Sequence, residues 1–366
     1  MTLSLTRRAT MLAAGLFAVF ALAATACGSS SNNNSTTGTT GGSGFDYSSL
    51  SGTLNGSGST FQKDFNEAAI QGFSDVAQNV TVNYAGGGSG KGKTDLANEV
   101  VQWAGTDSTI KSDQLSTFKG GTVLYFPTVA APITVSFNLS GVSKIQLSAS
   151  TLGGIFSGKI TKWNDSAIAA DNPGVSLPST AITVVHRSDG SGTTNQFTHY
   201  LTLAAGSSWA LGTGDTVNWP TSTKAANGNP GVAQAVKATD GAIGYVDYST
   251  AVASKLTFAS IKNKSGSYVA PSLDAASAAL ETAQVNANLT YLALDASGAD
   301  AYPITAATYV IVYQNQSDAT IGKALQGWLH YLLTDGQALA NPNNYAKLPA
   351  SLDQKALAQI DTMKIG

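Results

Sequence analysis

Three short loops in this chain carry residue types suited to holding an anion: NGSGSTF (Asn55 to Phe61), GGGSGKGKT (Gly86 to Thr94) and HRSDGSGTT (His186 to Thr194). Each precedes an apolar pattern at helical spacing: Phe61, Phe65, Ala68 and Ala69 for the first, Leu96, Val100, Trp103 and Ala104 for the second, Phe197, Tyr200 and Leu201 for the third. The first turn of a helix presents unsatisfied N–H groups and the positive end of its dipole, and glycine lets an anion approach the backbone closely. Arg187 in the third loop is the only arginine after Arg7 and Arg8, every other positive side chain being lysine. Selective use of a planar five-donor fork points to an oxyanion gripped in two directions. Asp189, two residues on, is placed to orient that guanidinium or to cap the helix.

The second loop also matches the nucleotide-binding pattern G-x-x-x-x-G-K-[ST] from Gly87 to Thr94. A nucleotide site also needs a Mg²⁺-binding acid at a strand end, and Asp247 in VDY is the nearest candidate. The N-terminus argues against that reading. Arg7 and Arg8 precede an uncharged apolar run, Ala9 to Ala26, with small residues before Cys27, the arrangement of a signal peptide over residues 1–26. An exported protein meets little ATP. A retained membrane span is the rival reading of the run, and the paired arginines are compatible with either general or twin-arginine export.

The elements that must position the loops are legible in outline. Asn79 to Tyr84 (NVTVNY) alternates as a strand, Ala181 to Val185 (AITVV) reads as another, and Ser59 or Thr60 is expected to cap the first helix. After Phe45 about 320 residues remain, which predicts two domains. The segment Gly28 to Gly44 is entirely Gly, Ser, Asn and Thr and reads as a tether. Its reach is about 20 to 25 Å. The mature chain is mildly acidic and has no basic footprint for nucleic acid. Cys27 is the one cysteine, which excludes an intramolecular disulfide. His186, His199 and His330 fall in no metal-ligand spacing, and no G-x-S-x-G elbow occurs, so a hydrolase reading finds little support.

With RSDGSGT, GSGSTF, GGGSGKG, Gly105-Thr106-Asp107, GAIGYVDY, ITKWND and YPITAATYVIVY, the chain after Phe45 resembles the phosphate-binding lipoproteins that serve ABC-type phosphate importers. The resemblance implies an α/β, two-lobed periplasmic-binding-protein-like fold of type II, each lobe a mixed sheet flanked by helices. It implies two hinge crossovers, near Phe126 to Val129 and Ala301 to Ile304, with the ligand cleft between lobes. Lobe I then spans 46–127 plus 302–366, and lobe II 128–301. Alanine at position 24 departs from the usual lipobox, whose cysteine, here Cys27, becomes an acylated N-terminus followed by the flexible linker at 27–45.

By the same resemblance phosphate contacts fall on Thr60 and Phe61 in the first loop, Ser89 in the second, Asp107 as the single acceptor, and Arg187, Ser191, Gly192 and Thr193 in the third, with Asp189 behind the arginine. His186, Lys91 and Lys93 depart from the family pattern; the lysines add field at the cleft mouth or are solvated, the latter favoured. The implied protein is a monomeric, membrane-anchored, extracytoplasmic receptor without cofactor or enzymatic activity, whose partners are inorganic phosphate and the permease subunits of an ABC importer. The alternatives are a receptor for sulfate, molybdate or a phosphonate, and an extracellular phosphohydrolase. Asp107 favours phosphate, because a protonated anion has a hydrogen to give it and a fully deprotonated one does not.

Overall fold

The computed structural model describes residues 44–366, so the signal segment, Cys27 and almost all of the linker lie outside the described residues. Strand β1 (Gly52–Gly58), helix α1 (Lys63–Val76), β2 (Val80–Gly86), α2 (Ser89–Ala97) and β3 (Trp103–Thr106) open the chain. The alternation in NVTVNY buries Val80 and Val82 and exposes Thr81, as a strand with one covered face requires. β1 lies between β2 and β3, parallel to both. On α1 the buried stripe is Phe65, Ala69 and Phe73, with Asn66, while Ala68 is half-buried.

Two long strands join the rest. β4 (Val123–Asn138) pairs antiparallel with β8 (Thr305–Tyr313) from Val123 to Pro132, then changes partner and pairs from Ile133 to Asn138 with β7 (Ala242–Asp247). Beyond β7 lie β5 (Thr183–Arg187) and β6 (Lys224–Ala226), giving the order β2-β1-β3-β8-β4-β7-β5-β6. All nine residues of β8 are buried, the pattern of a strand covered on both faces. Helices α3 (Gly192–Ala204) and α4 (Gly228–Ala238) follow β5 and β6, and α5 (Ala319–Leu333) follows β8. The segment 126–129 lies inside β4, and 301–304 immediately precedes β8.

Three local expectations need correction. The helix after the second loop ends at Ala97: Val100 is exposed, and Trp103 and Ala104 belong to β3. Trp103 lies flat against Tyr84, with ring centroids 4.9 Å apart, over Gly56, where a Cβ would meet the indole at 2.1 Å. That packing overrides the helical spacing. The first helix starts at Lys63 with Gln62 at its N-cap, because Ser59 and Thr60 are drawn into contacts described below. AITVV starts two residues early; the strand is Thr183–Arg187, so Arg187 ends a strand rather than standing in a loop.

The described residues fall in one compact unit. Its largest core runs from Phe73, Trp328 and Tyr331 beside β1 to Phe156, Phe197 and Tyr245 beside β5. Among the described residues no helix is long and apolar enough to cross a membrane.

Candidate functional site

The three loops meet at the ends of β1, β2 and β5. Gly87 and Gly88 both donate to the Gly58 carbonyl at 2.8 Å, which fastens the second loop to the end of β1. The second loop then touches the third backbone to backbone, Gly90 N–H donating to Gly190 O at 2.8 Å. No side chain fits between them: Gly88 has φ +89°, and a Cβ there would lie 2.2 Å from Asp189 Oδ2. At Gly192 a Cβ would lie 2.4 Å from Ser89 Oγ and 2.8 Å from Asp107 Cβ. Glycine here is required by close approach.

Asp107 sits at the end of β3, 1% exposed, inside a ring of hydroxyls. Its Oδ1 accepts from Ser59 Oγ at 2.6 Å and Thr308 Oγ1 at 2.7 Å. Its Oδ2 has Ser59 Oγ at 2.8 Å, with longer contacts from Thr193 Oγ1 at 3.4 Å and Ser89 Oγ at 3.5 Å. Since the Ser59 proton serves one oxygen at a time, Oδ2 retains lone-pair capacity for another donor. Burial pushes the carboxyl up to about 6, against the pull of Ser59, Thr308 and the Arg187 charge. Thr308 reaches it from a bulge: between the pairs Ala307–Ala130 and Tyr309–Pro127, two residues of β4 face one of β8. Pro127 supplies no N–H to the ladder, and the bulge accommodates that while turning Thr308 toward the carboxylate.

Arg187 is 4% exposed and held in a fork. Its Nε donates to Asp189 Oδ1 at 2.8 Å and its Nη2 to Asp189 Oδ2 at 2.5 Å, while Nη1 donates to Asn229 Oδ1 at 2.9 Å. With a longer bond from Nη1 to Thr193 Oγ1 at 3.5 Å, these engage four of the five donors and leave one N–H on Nη2 for an anion. Burial works to raise Asp189, but the Arg187 bonds and charge, with the Gly228 amide, hold it below the ordinary carboxylate value. Arg187 N–H also donates to Tyr245 Oη at 3.2 Å, and the same phenol lies 2.6 Å from Thr194 Oγ1, tying the strand end to the first turn of α3.

Thr193 Oγ1 joins the two charges: it is 3.4 Å from Asp107 Oδ2, 3.5 Å from Arg187 Nη1 and 3.3 Å from Asn229 Nδ2. Ser191 is the N-cap of α3, its Oγ accepting from Thr194 N–H at 3.0 Å. The amides of Gly192 and Thr193, first in that helix, have no intrahelical acceptor. Thr60 Oγ1 accepts from Asn229 N–H at 3.2 Å, and Phe61 N–H donates to Ser59 Oγ at 3.0 Å. The sequence-derived set Thr60, Phe61, Ser89, Asp107, Arg187, Ser191, Gly192 and Thr193 is thus linked into one contact network, with Asp189 behind Arg187.

Sequence reasoning missed Asn229 and Thr308 and saw Ser59 only as a cap. Asn229 has a readable signal: NGNPG at Asn227 to Gly231 is a fourth glycine loop opening a helix. The lysines divide. Lys91 is solvated and pairs with Asp95, whereas Lys93 is buried and pairs with Asp215 at 2.7 Å, against the favoured expectation. With Lys93 so engaged, the nucleotide-loop match has no lysine to offer a phosphate tail. Asp247 caps the helix Tyr248–Ala253 instead of facing that loop, accepting from Thr250 N–H at 2.8 Å. His186 stacks on Trp219 with centroids 4.8 Å apart, and burial lowers its pKa, so it adds no charge beside Arg187 at neutral pH. Among the described residues no group of three or more His, Cys, Asp or Glu could hold a metal.

This chain, whose glycine-loop helix starts converge on one carboxylate and one guanidinium, matches the domain model of the PBP superfamily over residues 33–336. The chain is 33% identical over 363 residues to the phosphate-binding protein PstS2 of Mycobacterium bovis, covering 96% of this chain and 98% of that one. It is 35% identical over 332 residues to the phosphate-binding protein PstS of Methanocaldococcus jannaschii, covering 84% and 85%. A solved high-affinity periplasmic phosphate-binding protein, PfluDING, bound with phosphate, superposes with a TM-score of 0.71 at 24% identity, covering 86% of this chain and 96% of that one. The chain belongs to the PstS family of phosphate-binding proteins within that superfamily.

Proposed function

We propose that this protein binds inorganic phosphate outside the cytoplasm and delivers it to the permease subunits of an ABC-type importer. The single observation that carries the reading is the meeting of Asp107 and Arg187 within 3.5 Å of one hydroxyl, Thr193 Oγ1, at a helix N-terminus. Such a place offers many donors and one acceptor, which suits an anion that still carries a proton. The names of the relatives support phosphate as that anion. Thr60, Phe61, Ser89, Arg187, Ser191, Gly192 and Thr193 donate to the ion, Asp107 accepts its P–OH, and Asp189 orients Arg187.

Residues 46–127 plus 302–366 form one lobe and 128–301 the other, and the cleft between them closes on the ion. The change of partner along β4, between Pro132 and Ile133, supports two units joined through that strand. Cys27 is acylated after removal of residues 1–26, and the linker holds a monomeric receptor at the extracytoplasmic face of the cell membrane. Titration calorimetry of phosphate-stripped protein with orthophosphate, sulfate, molybdate and a phosphonate tests the reading, with a phosphomonoesterase assay beside it. Saturable binding of orthophosphate well ahead of the others, without hydrolysis, is expected; equal affinity for sulfate, or ester turnover, would refute it.

A further inference from the structure

Lys93 and Asp215 make no part of the phosphate contacts, yet they form a nearly buried ion pair beside them. Their side chains are 10% and 19% exposed. They stand 122 residues apart in sequence, Lys93 on α2 and Asp215 in the connection from α3 to β6. Lys93 Nζ donates to Asp215 Oδ2 at 2.7 Å, Ser108 Oγ at 2.9 Å and the Thr109 carbonyl at 3.4 Å, which uses all three ammonium hydrogens. The other Asp215 oxygen accepts from Asn195 Nδ2 at 3.0 Å, and its main-chain carbonyl accepts from Ser191 N–H at 2.9 Å. Asp215 is thereby fixed to the first turn of α3, while Lys93 is fixed to the residues just after Asp107.

We infer that Lys93 and Asp215 are a latch across the cleft, setting how long bound phosphate is held without touching it. This rests on the reading of the site as a phosphate cleft that closes. The latch lies beside the backbone contact from Gly90 to Gly190, so the two together shut one side of the opening. Removing one member of a buried pair leaves the other charge desolvated and uncompensated, which opposes the closed arrangement. Truncating one partner of such a pair acts chiefly on dissociation, and association is governed by encounter with the open cleft.

Stopped-flow measurement of phosphate association and dissociation on the mature protein tests this, using wild type, Lys93→Met, Asp215→Asn and the double variant. Each single variant is expected to speed phosphate release about 10- to 100-fold while association changes by less than about threefold. The double variant should release no faster than the faster single one, because the two residues act as a unit. Lys93→Gln, which keeps a polar group beside Ser108, repeats the comparison in a milder form should Lys93→Met fail to fold. Unchanged release in folded single variants, or effects that multiply in the double variant, would overturn the latch while leaving phosphate binding intact. Failure of the wild type to bind orthophosphate would remove the functional reading and the latch with it.

Discussion

Replacing Asp107 with asparagine should abolish the pH dependence of sulfate binding, and the size of that effect follows from the carboxyl's surroundings. Oδ1 is saturated by Ser59 and Thr308, leaving Oδ2 to face the anion. Opposite phosphate it receives a hydrogen. Opposite sulfate the carboxylate has two options: stay charged and unpaired, at about 3 to 5 kcal/mol, or take a proton from solvent. With the carboxyl at about 6, the second option costs nothing below that pH and rises by about 1.4 kcal/mol for each unit above it. Sulfate affinity should therefore be flat below about pH 6 and fall roughly tenfold per pH unit above it, reaching about 100-fold discrimination at pH 8. The Asp107→Asn protein always presents a donor, so its sulfate affinity should not change across the same window. Competition dialysis of labelled phosphate against sulfate from pH 5 to pH 8.5 measures both proteins. Parallel pH profiles for the two proteins would contradict this, because the pH dependence would then come from a group other than Asp107.

The same carboxyl bears on folding. Its folded value lies above the ordinary 3.8, so the stability it contributes is complete below that pH and is lost as pH rises through about 6. In denaturant titrations without phosphate, wild type should lose up to about 3 kcal/mol more than Asp107→Asn between pH 4 and pH 7; equal slopes would contradict this. Arg187→Lys cannot reproduce the fork to Asp189 together with donation to the ion, and losing one charge-assisted bond predicts about 10- to 150-fold weaker phosphate binding by calorimetry. An affinity within threefold of wild type would show that charge alone suffices. Gly192→Ala places a methyl against Ser89 and Asp107. Small-angle scattering should then show no compaction on adding phosphate, and normal compaction would place the close approach elsewhere.

What the sequence displayed and what it hid differ by the range of the forces involved. The glycine loops and Arg187 were readable because local chemistry dictates them: Gly88 has a positive φ, and only a guanidinium bonds Asp189 and Asn229 at once. The helix expected through Trp103 failed because its apolar spacing fits two periods over so short a stretch, and the contacts with Gly56 and Tyr84 decided the matter from elsewhere in the chain. Thr308 lay hidden in an apolar strand, YPITAATYVIVY, where nothing local announces a bulge. Lys93 resembled a solvated lysine because its partner lies 122 residues away. Asn229 was legible in principle, in a glycine loop of the same kind as the other three.

Phosphate recognition here depends on an ion held between Arg187 and Asp107. A crystal structure of the mature protein grown with orthophosphate tests that most directly. The ion should lie within hydrogen-bonding distance of both Asp107 Oδ2 and an Arg187 Nη, with Gly192 and Thr193 amides directed at its oxygens. An ion bound away from these groups, or their separation by a cleft that orthophosphate does not enter, would contradict it.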